Sequence, residues 1–404
     1  MKLVFASDYM TNKDMTSSCV QNEERNDTDW YVYLEAFSEI MVCYPSCSYV
    51  PHDSSPVLHH DSRVSFYHLP PLNGPLSMLN YRFETMKIVQ KALQKADVLI
   101  ARLPSEVGFI AIQAAKLLNK PWAVEVVSSA EEYYDTSLGK LLSPIMNLRL
   151  QKMIGQAPAA LYATNHFLQR RYPCNGRMIS RSSSQFQAHL PHISTDRLQR
   201  IATCYEREVY HIGLGGTLSG QSKGIDIALK ALKKVQQLTV KTVKLDIVGE
   251  GDPARWKRLA EELYIEDVVN FKGIMNQRTM RQDWLDSLDL YIQPSRQDSQ
   301  PKVMLEAMGR GVPVFGSRVG GISELLSPEQ LMKPEDDNRL AMLICDLIND
   351  TTKQRRLAGR SLEAASAHNE DALRMQRLEF FSYVINHVAQ RQDKKELVES
   401  NPFR

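Results

Sequence analysis

The feature that most constrains this chain is the stretch 291–326, which reads YIQPSRQDSQPKVMLEAMGRGVPVFGSRVGGISELL. It begins with a short strand pattern and a polar loop. Pro301 then opens an apolar segment with helical character that ends in glycine, and proline at a helix start with glycine beyond its end is the expected asymmetry. A second strand pattern follows, and the Gly320-Gly321 pair leads into another helix. The stretch therefore predicts a parallel βαβα unit, which is typical of an α/β fold.

Two acidic residues flank the start of the predicted helix. Asp298 lies in the loop before it, and Glu306, with seven residues between the two, lies inside it. The free N–H groups and the positive dipole end of the helix favour an anion such as a diphosphate at the same place. A carboxylate beside such an anion would hydrogen-bond hydroxyl groups, which a ribose and a hexose supply. The alternative is a plain βα unit with one helix-capping acid.

The segment 298–326 resembles the nucleotide-sugar site of the retaining glycosyltransferases of family four, which have the GT-B fold. That family carries two Glu separated by seven residues, then a Gly-x-Pro-Val segment and a Gly-Gly-x-x-Glu turn. Here Asp298 stands where the first Glu is usual, and Ser299 stands where Gly is usual. The segments 100–108 and 122–132, IARLPSEVG and WAVEVVSSAEE, resemble strands of bacterial members that act in cell-surface polysaccharide synthesis.

The resemblance implies an α/β chain with two doubly wound, Rossmann-like parallel-sheet domains that face a central cleft. The alternation of strand and helix patterns in the first half, and a length of 404 residues, agree with two such domains. We expect an acceptor-binding domain over residues 1–195 and a nucleotide-sugar-binding domain over residues 205–375. The polar stretch 180–208 is the candidate linker. A C-terminal helix, about 376–404, is expected to cross back onto the first domain.

The donor site implied by the resemblance includes a second, glycine-rich segment, GGTLSGQSKG at 215–224. Lys223 matches the family's phosphate-binding Lys, whereas Thr217 stands in the position of its Arg, so that Arg296, Lys302, Arg310 or Arg318 is a candidate replacement for the missing cation. The predicted catalytic residues are Asp298, Glu306 and Lys223. The predicted donor-binding residues are Gly215, Gly216, Thr217, Ile274, Met275, Ser299, Gln300, Pro301, Lys302 and Val303.

Polar residues at the predicted strand ends of the first domain are candidates for the acceptor side, because ligands of doubly wound sheets bind beyond those ends. They are Asp8, Arg102, Ser105, Ser128 and Ser129. The alternative for each one is ordinary turn capping. His52, His59 and His60 lie in a segment rich in Pro and Ser, which favours a solvated loop over a metal site. We expect no metal and no cofactor besides the donor substrate.

The stretch 140–181 is basic: it has Lys and Arg but neither Asp nor Glu, with apolar residues in between. Such a stretch can dock on an anionic membrane surface or hold a lipid-diphosphate acceptor, and the alternative is a solvated face over a buried helix. The formal net charge of +2 argues against a nucleic-acid partner. Without a signal-peptide or membrane-span pattern, we expect a cytoplasmic protein that is at most peripheral on the inner face of the membrane.

The resemblance thus implies a metal-independent retaining glycosyltransferase that moves a hexose from a nucleoside-diphosphate sugar to a glycan or lipid-linked acceptor. UDP is the expected nucleotide, and GDP is left open. The departures at Thr217, Asp298 and Ser299 motivate an alternative, a non-catalytic scaffold that binds nucleotide sugars. Another alternative is an epimerase that acts on the nucleotide sugar itself, since fold alone does not settle activity.

Overall fold

The computed structural model describes residues 1–8, 27–46, 49, 56–58, 61–72, 75–133, 137–180, 191–275, 278–368 and 370–389. Two sheets organise the chain, one in each half, and each is covered by helices on both faces. We call them the first and the second domain. This arrangement confirms the predicted doubly wound α/β architecture.

The strands of the first domain are β1 Lys2–Ala6, β2 Glu39–Pro45, β3 Val57–Leu58, β4 Val64–Leu69, β5 Val98–Leu103, β6 Trp122–Val126, β7 Ala159–Tyr162 and β8 Arg177–Ser180. They lie in the order β3-β4-β2-β1-β5-β6-β7-β8. The pairs are parallel except for β3 with β4. The central strands are buried almost throughout, because helices cover both faces and leave no polar side to the sheet.

The helices of this domain are α1 Asp27–Leu34, α2 Pro75–Gln94, α3 Glu106–Leu117, α4 Ala130–Tyr133, α5 Ser137–Gly155 and α6 Phe167–Arg171. Helices α2, α3 and α5 bury Val89, Ala114 and Ile154 in the core on one face of the sheet. Helix α1 packs on the other face through Trp30 and Tyr33. The apolar faces of these helices therefore close the sheet on both sides.

The second domain begins with α7 Pro191–Ala202. Its strands are β9 Val209–Gly215, β10 Thr242–Val248, β11 Val269–Gly273, β12 Leu290–Gln293, β13 Val314–Ser317 and β14 Leu331–Met332. They form a parallel sheet in the order β11-β10-β9-β12-β13-β14. The other helices are α8 Ile225–Leu238, α9 Ala254–Glu262, α10 Arg278–Ser287, α11 Lys302–Gly309, α12 Ile322–Leu325, α13 Asp337–Ile348 and α14 Thr351–Ser366.

The chain then returns to the first domain, as the resemblance implied. Helix α15 Glu370–Tyr383 continues into a π-helical turn, Val384–Ala389. Phe380 and Phe381 are fully buried in the same core as Tyr33, and Arg374 forms an ion pair with Glu35 at 2.7 Å. The last described helix is therefore part of the first domain's core.

The polar stretch 180–208 differs from an irregular linker, because its residues 191–202 form α7. The Arg197 guanidinium is buried and donates to the Leu285 carbonyl at 3.1 Å and to the Arg310 carbonyl at 3.2 Å. Burial lowers the pKa of Arg197 to about 10. These partners place α7 on the second domain. The polar composition of the stretch did not predict this helix, because the residue that it buries, Arg197, is itself charged.

Candidate active site

Both sheets reverse their strand order at one point, between β1 and β5 in the first domain and between β9 and β12 in the second. Ligands of doubly wound sheets bind outside the carboxyl ends of the strands at such points. Asp8 follows β1, the 215–224 loop follows β9, and the 294–300 loop follows β12. The topology therefore brings the predicted donor segments together at the carboxyl ends of the strands of the second sheet.

The Gly320-Gly321 turn lies directly beneath the 294–300 loop. The Gly321 amide donates to the Asp298 carbonyl at 3.0 Å. A Cβ atom on Gly320, whose φ is 45°, would lie 2.2 Å from that carbonyl oxygen, and a Cβ on Gly321 would lie 2.4 Å from the Ser299 oxygen. Only residues without a side chain fit here, so the glycine pair allows the backbone of the 294–300 loop to lie directly against the turn.

Asp298 is held at the centre of the site. The residue is only 3% exposed. Its Oδ2 atom accepts a hydrogen bond from Lys223 Nζ at 2.9 Å and another from Ser295 Oγ at 3.2 Å. Two predicted catalytic residues, one from each loop, are thus brought together as a buried ion pair.

A buried chain of hydrogen bonds supports this pair, and the sequence did not reveal it. Tyr291 OH accepts from the Gly215 amide at 2.9 Å and donates to Gln293 Oε1 at 2.8 Å. Gln293 Nε2 donates to Ser295 Oγ at 2.8 Å, and Ser295 contacts Asp298. We call Tyr291, Gln293 and Ser295 the relay. It connects the 215–224 loop to the 294–300 loop through the interior of the domain.

Several buried polar atoms of the 294–300 loop have no partner within the described part of the chain. They are Gln297 Oε1, Asp298 Oδ1 and Gln300 Nε2. Buried polar groups are almost always hydrogen-bonded, and a group of exceptions needs an explanation. A ligand with several hydroxyl groups would satisfy both the acceptors and the donor. A ligand at this loop would therefore account for all three unpartnered atoms.

Glu306 lies in α11 and faces a residue that sequence reasoning missed. Arg281 Nε, from α10, lies 2.7 Å from Glu306 Oε2. Arg281 Nη1 also donates to the Met275 carbonyl at 3.3 Å. Arg281 therefore joins Glu306 to the segment of two predicted donor-binding residues, of which Met275 is half-buried and Ile274 is exposed. No local pattern marks Arg281, because its role depends on the folded position of α10.

The 215–224 loop is shaped by its glycines and by Thr217. Gly224 has a φ of 67° and begins α8 so close to the Pro294 carbonyl that a Cβ would lie 1.9 Å from its oxygen. Gly215 ends β9 against the side chain of Val303, at the start of α11. Thr217 Oγ1 accepts from the Ser219 amide at 3.2 Å. Thr217 thus shapes the loop in the position where the family has a cation.

The candidate replacements for that cation divide into two groups. Arg296 binds the Asp226 carboxylate at 2.8 Å, and Arg310 binds Asp286 at 2.7 Å, so both belong to ion pairs of the second domain. Lys302 and Arg318 are exposed. Arg318 directly follows β13 and is therefore at the same sheet edge as the two loops.

Two carboxylates, one from each domain, accept hydrogen bonds from backbone amides of the other domain. Glu132, from α4 of the first domain, accepts a hydrogen bond from the Ser299 amide at 3.1 Å. Glu324, from α12 of the second domain, accepts from the amides of Asn165 at 2.7 Å and His166 at 3.0 Å, and from that of Phe167. Glu324 ends the Gly-Gly-x-x-Glu pattern of the sequence, whereas sequence reasoning missed Glu132. Glu132 thus contacts the 294–300 loop directly, and both carboxylates join the second domain to the first.

The acceptor-side candidates mostly support the fold of the first domain. Asp8 accepts from the amides of Glu106 at 2.6 Å and Val107 at 2.8 Å, and from Tyr133 OH. Buried Ser105 caps the same helix, α3, through the Gly108 amide at 2.8 Å. Burial raises the pKa of Asp8 although these hydrogen bonds lower it. Turn capping, the alternative for these two residues, is what the structure shows.

The other acceptor-side candidates lie beyond β5 and β6. Arg102 forms an ion pair with buried Glu125 at 3.0 Å. Ser129 is buried and accepts from the Glu132 amide at 3.4 Å, and Ser128 is half-buried. Arg102 and Ser128 thus remain accessible near the strand ends, and their contact with an acceptor stays a prediction.

The basic stretch 140–181 is partly neutralised by neighbours. Arg149 binds Glu106 at 2.8 Å, Arg171 binds Glu131, and Arg177 binds Glu379 at 3.2 Å. Lys152 and Arg170 are exposed, and so are Ile145 and Leu148 at 63% and 67%. The side chain of Lys140 and all of Arg181 lie outside the described residues.

Within the described residues, none of the helices has the length and apolar character needed to cross a membrane. In the same part of the chain, no group of three or more His, Cys, Asp or Glu is placed to hold a metal ion. His52, His59 and His60 lie outside the described residues, so the hypothesis about them stays open.

Comparison with known proteins agrees with this geometry. Residues 210–350 match the family model described as "Glycosyl transferases group 1". The chain is 28% identical over 357 residues to protein CapJ of Staphylococcus aureus, a match that covers 85% of this chain and 88% of CapJ.

Solved structures share the fold over almost the whole chain. Sucrose-phosphate synthase from Thermosynechococcus elongatus superimposes with a TM-score of 0.72 at 18% identity, over 95% of this chain and 98% of that one. Anabaena HepE in complex with UDP and glucose gives a TM-score of 0.63 at 17% identity, over 94% of this chain and 99% of HepE. The fold is GT-B, and the match to the group 1 glycosyltransferase model lies within the second domain.

Proposed function

We propose that this protein transfers a hexose from a UDP-linked sugar to a glycan or lipid-linked acceptor in surface polysaccharide synthesis, with retention of anomeric configuration. The observation that carries the proposal is the group of unpartnered buried atoms, Gln297 Oε1, Asp298 Oδ1 and Gln300 Nε2, beside the Lys223–Asp298 pair. The HepE structures hold UDP, UDP-glucose, or UDP and glucose in the same fold. The acceptor class is proposed from the resemblance of the segments 100–108 and 122–132 to bacterial members.

In this proposal the nucleotide lies along α11 and the hexose lies under the 294–300 loop. Glu306, oriented by Arg281, accepts hydrogen bonds from the ribose hydroxyls. The diphosphate takes the ammonium of Lys223 and the free amides of the first turn of α11. Asp298 Oδ1 and the amides of Ser299 and Gln300 face the hexose.

The chemistry follows from this placement. Transfer builds positive charge on the sugar ring while negative charge grows on the departing diphosphate. Lys223 and the amide groups are fixed before the reaction, so they stabilise that negative charge without reorganising. We therefore propose a metal-independent reaction in which the acceptor hydroxyl attacks on the leaving-group face and gives its proton to the departing phosphate. Closure of the cleft, across which Glu324 already joins the two domains, would exclude water.

A peripheral position on an anionic membrane is part of the proposal. Ile145 and Leu148 project from α5 into solvent, Lys152 is exposed one turn further along the same helix, and Arg170 is exposed in α6. Apolar side chains that enter the lipid surface and cations that meet its headgroups make up an interfacial site. On centrifugation, the protein should co-sediment with vesicles that contain anionic phosphatidylglycerol but not with vesicles of phosphatidylcholine alone. The double variant Ile145→Ser with Leu148→Ser should co-sediment less.

The experiment that tests the proposal combines binding with turnover. Each of UDP, GDP and their common sugar conjugates is titrated by calorimetry, and radiolabelled sugar is followed into lipid-linked and free glycans, with and without a chelator. We expect UDP and one UDP-sugar to bind, and transfer to persist in the chelator. Binding without any transfer would support a scaffold, and donor conversion without acceptor would support an epimerase.

A further inference from the structure

The Glu132 carboxylate reaches from the first domain to the backbone of the 294–300 loop. Glu132 Oε2 accepts a hydrogen bond from the Ser299 amide at 3.1 Å. That amide is one of the groups that our proposed function assigns to the hexose. The carboxylate therefore occupies a hydrogen-bonding position that a donor sugar would need.

The helix that carries Glu132 is held in place by the residues around it. Ser129 Oγ accepts from the Glu132 amide, Glu131 binds Asn147 and Arg171, and Tyr133 OH binds Asp8. These contacts all lie within the first domain. The Glu132 side chain points the other way, into the cleft, and so it is not needed to hold α4.

The charge balance around Glu132 argues against a purely stabilising contact. Burial raises the pKa of Glu132, the attraction of Lys223 opposes this rise, and the Asp298 carboxylate adds to it. Lys223 already pairs with Asp298 at 2.9 Å. Glu132 is therefore a second carboxylate near an ammonium that is already paired, in a poorly solvated place, and this arrangement costs free energy.

The two partners in this contact also define what can enter between them. The Ser299 amide only donates a hydrogen bond, and an ionised carboxylate only accepts. A hydroxyl group does both, so it can accept from Ser299 and donate to Glu132 at the same time. The unpartnered Asp298 Oδ1 in the same cluster would take a neighbouring hydroxyl.

We propose that Glu132 is a specificity-determining residue for the donor sugar, which binds a hexose hydroxyl inserted between its carboxylate and the Ser299 amide. This inference rests on the proposed nucleotide-sugar site. Glu132 belongs to the first domain, so the sugar is recognised from both sides of the cleft, whereas the nucleotide is bound by the second domain. A site built to hydrogen-bond a hydroxyl rejects a sugar that lacks it.

The test compares the affinity for UDP with the affinity for UDP-glucose by calorimetry. UDP-N-acetylglucosamine and UDP-galactose are added as probes, and the tightest of the three sugars is used. We expect Glu132→Ala to weaken binding of the UDP-sugar by about tenfold while the Kd of UDP changes by less than about threefold. Glu132→Gln, which still accepts a hydrogen bond, should fall between. Glu379→Gln, which removes an exposed carboxylate of the first domain that pairs with Arg177, is the control and should leave both affinities unchanged.

The outcomes separate the inference from the function beneath it. If Glu132→Ala changes the Kd values of UDP and the UDP-sugar by the same factor, Glu132 only joins the domains, and the inference is wrong. A wild-type protein that binds none of these nucleotides would contradict the proposed function itself. UDP-sugar analogues that lack one hydroxyl, as deoxy or deoxyfluoro sugars, would identify the hydroxyl. The analogue that lacks it should bind more weakly than the parent UDP-sugar to the wild type but not to Glu132→Ala.

Discussion

Lys223 Nζ lies 2.9 Å from Asp298 Oδ2, and this ion pair joins the 215–224 loop to the 294–300 loop. The Asp298 side chain is 1% exposed and that of Lys223 is 18% exposed. Since the pair is so poorly solvated, neither charge is well compensated without the other. The same ammonium is the one that we assign to the departing diphosphate, so the pair connects stability with catalysis.

The first prediction separates these two contributions. Lys223→Met should destabilise the protein by about 3 kcal/mol, because it leaves the buried Asp298 carboxylate without its cation. The double variant Lys223→Met with Asp298→Asn should regain most of this stability but no transfer activity. Urea unfolding and transfer rates measure the two effects, and recovery of activity together with stability would contradict the assigned role of Lys223.

The second prediction concerns the ribose. Glu306→Gln should weaken UDP binding by about tenfold or more, since a charged acceptor and its pairing with Arg281 are lost together. Arg281→Met should weaken UDP binding less, because Glu306 remains. Glu329→Gln, which breaks surface pairs with Arg356 and Arg360, is the control. Calorimetry measures the Kd of UDP for each variant. An unchanged Kd in Glu306→Gln would contradict the assignment of Glu306 to the ribose.

The third prediction tests the relay. Tyr291→Phe removes a buried hydroxyl and leaves the Gly215 amide without its acceptor, which should cost about 2 kcal/mol of unfolding free energy. The kcat of transfer should fall more than expected from any change in UDP affinity, because the two loops lose their common support. Tyr264→Phe, at an exposed position, should change neither quantity.

The fourth prediction uses two glycines of opposite kind. Gly320→Ala places a Cβ atom against the Asp298 carbonyl in a left-handed conformation and should lower the melting temperature and the transfer rate. Gly359→Ala, inside α14 with no atom within 4 Å of the added Cβ, should stabilise the protein by up to about 1 kcal/mol. Equal effects of the two substitutions would contradict the packing argument for the Gly320-Gly321 turn.

The fifth prediction concerns pH. Burial raises the pKa of Glu132 in the folded protein, so the stability linked to this group is present at low pH and is lost as the pH rises through the folded pKa. The side chain introduced by Glu132→Gln does not ionise. The difference in melting temperature between Glu132→Gln and wild type should therefore increase from about pH 4 to about pH 8. A difference that shrinks over this range would show that Lys223 outweighs burial.

The local structure of the segment 291–326 could be predicted because its signals lie next to one another in sequence. Pro301 starts the helix, the glycines end it and form the turn below, and Asp298 and Glu306 are close enough to be recognised as one pattern. The alternation of apolar runs predicted the two sheets in the same way. Physical rules that act over a few residues are visible without a structure.

Glu132 and Arg281 could not be predicted, because their partners are distant in sequence. Glu132 meets Ser299 across 167 positions, and only the facing of the two sheets brings them together. Strand β8 was missed for another reason: it is at the sheet edge, and Arg177 and Met178 are exposed, which removes the apolar pattern. Capping by Asp8 and Ser105 was foreseen only as the alternative to acceptor binding.

The return of α15 to the first domain has a consequence for biosynthesis. Arg374 meets Glu35 across 339 positions, and Phe381 completes a core that begins with β1. On the ribosome, the first sheet emerges long before the aromatic side chains that seal one of its faces. The second domain, whose contacts are closer in sequence, can fold while the first still exposes Trp30 and Tyr33. We therefore expect the unfinished first domain to bind chaperones during translation.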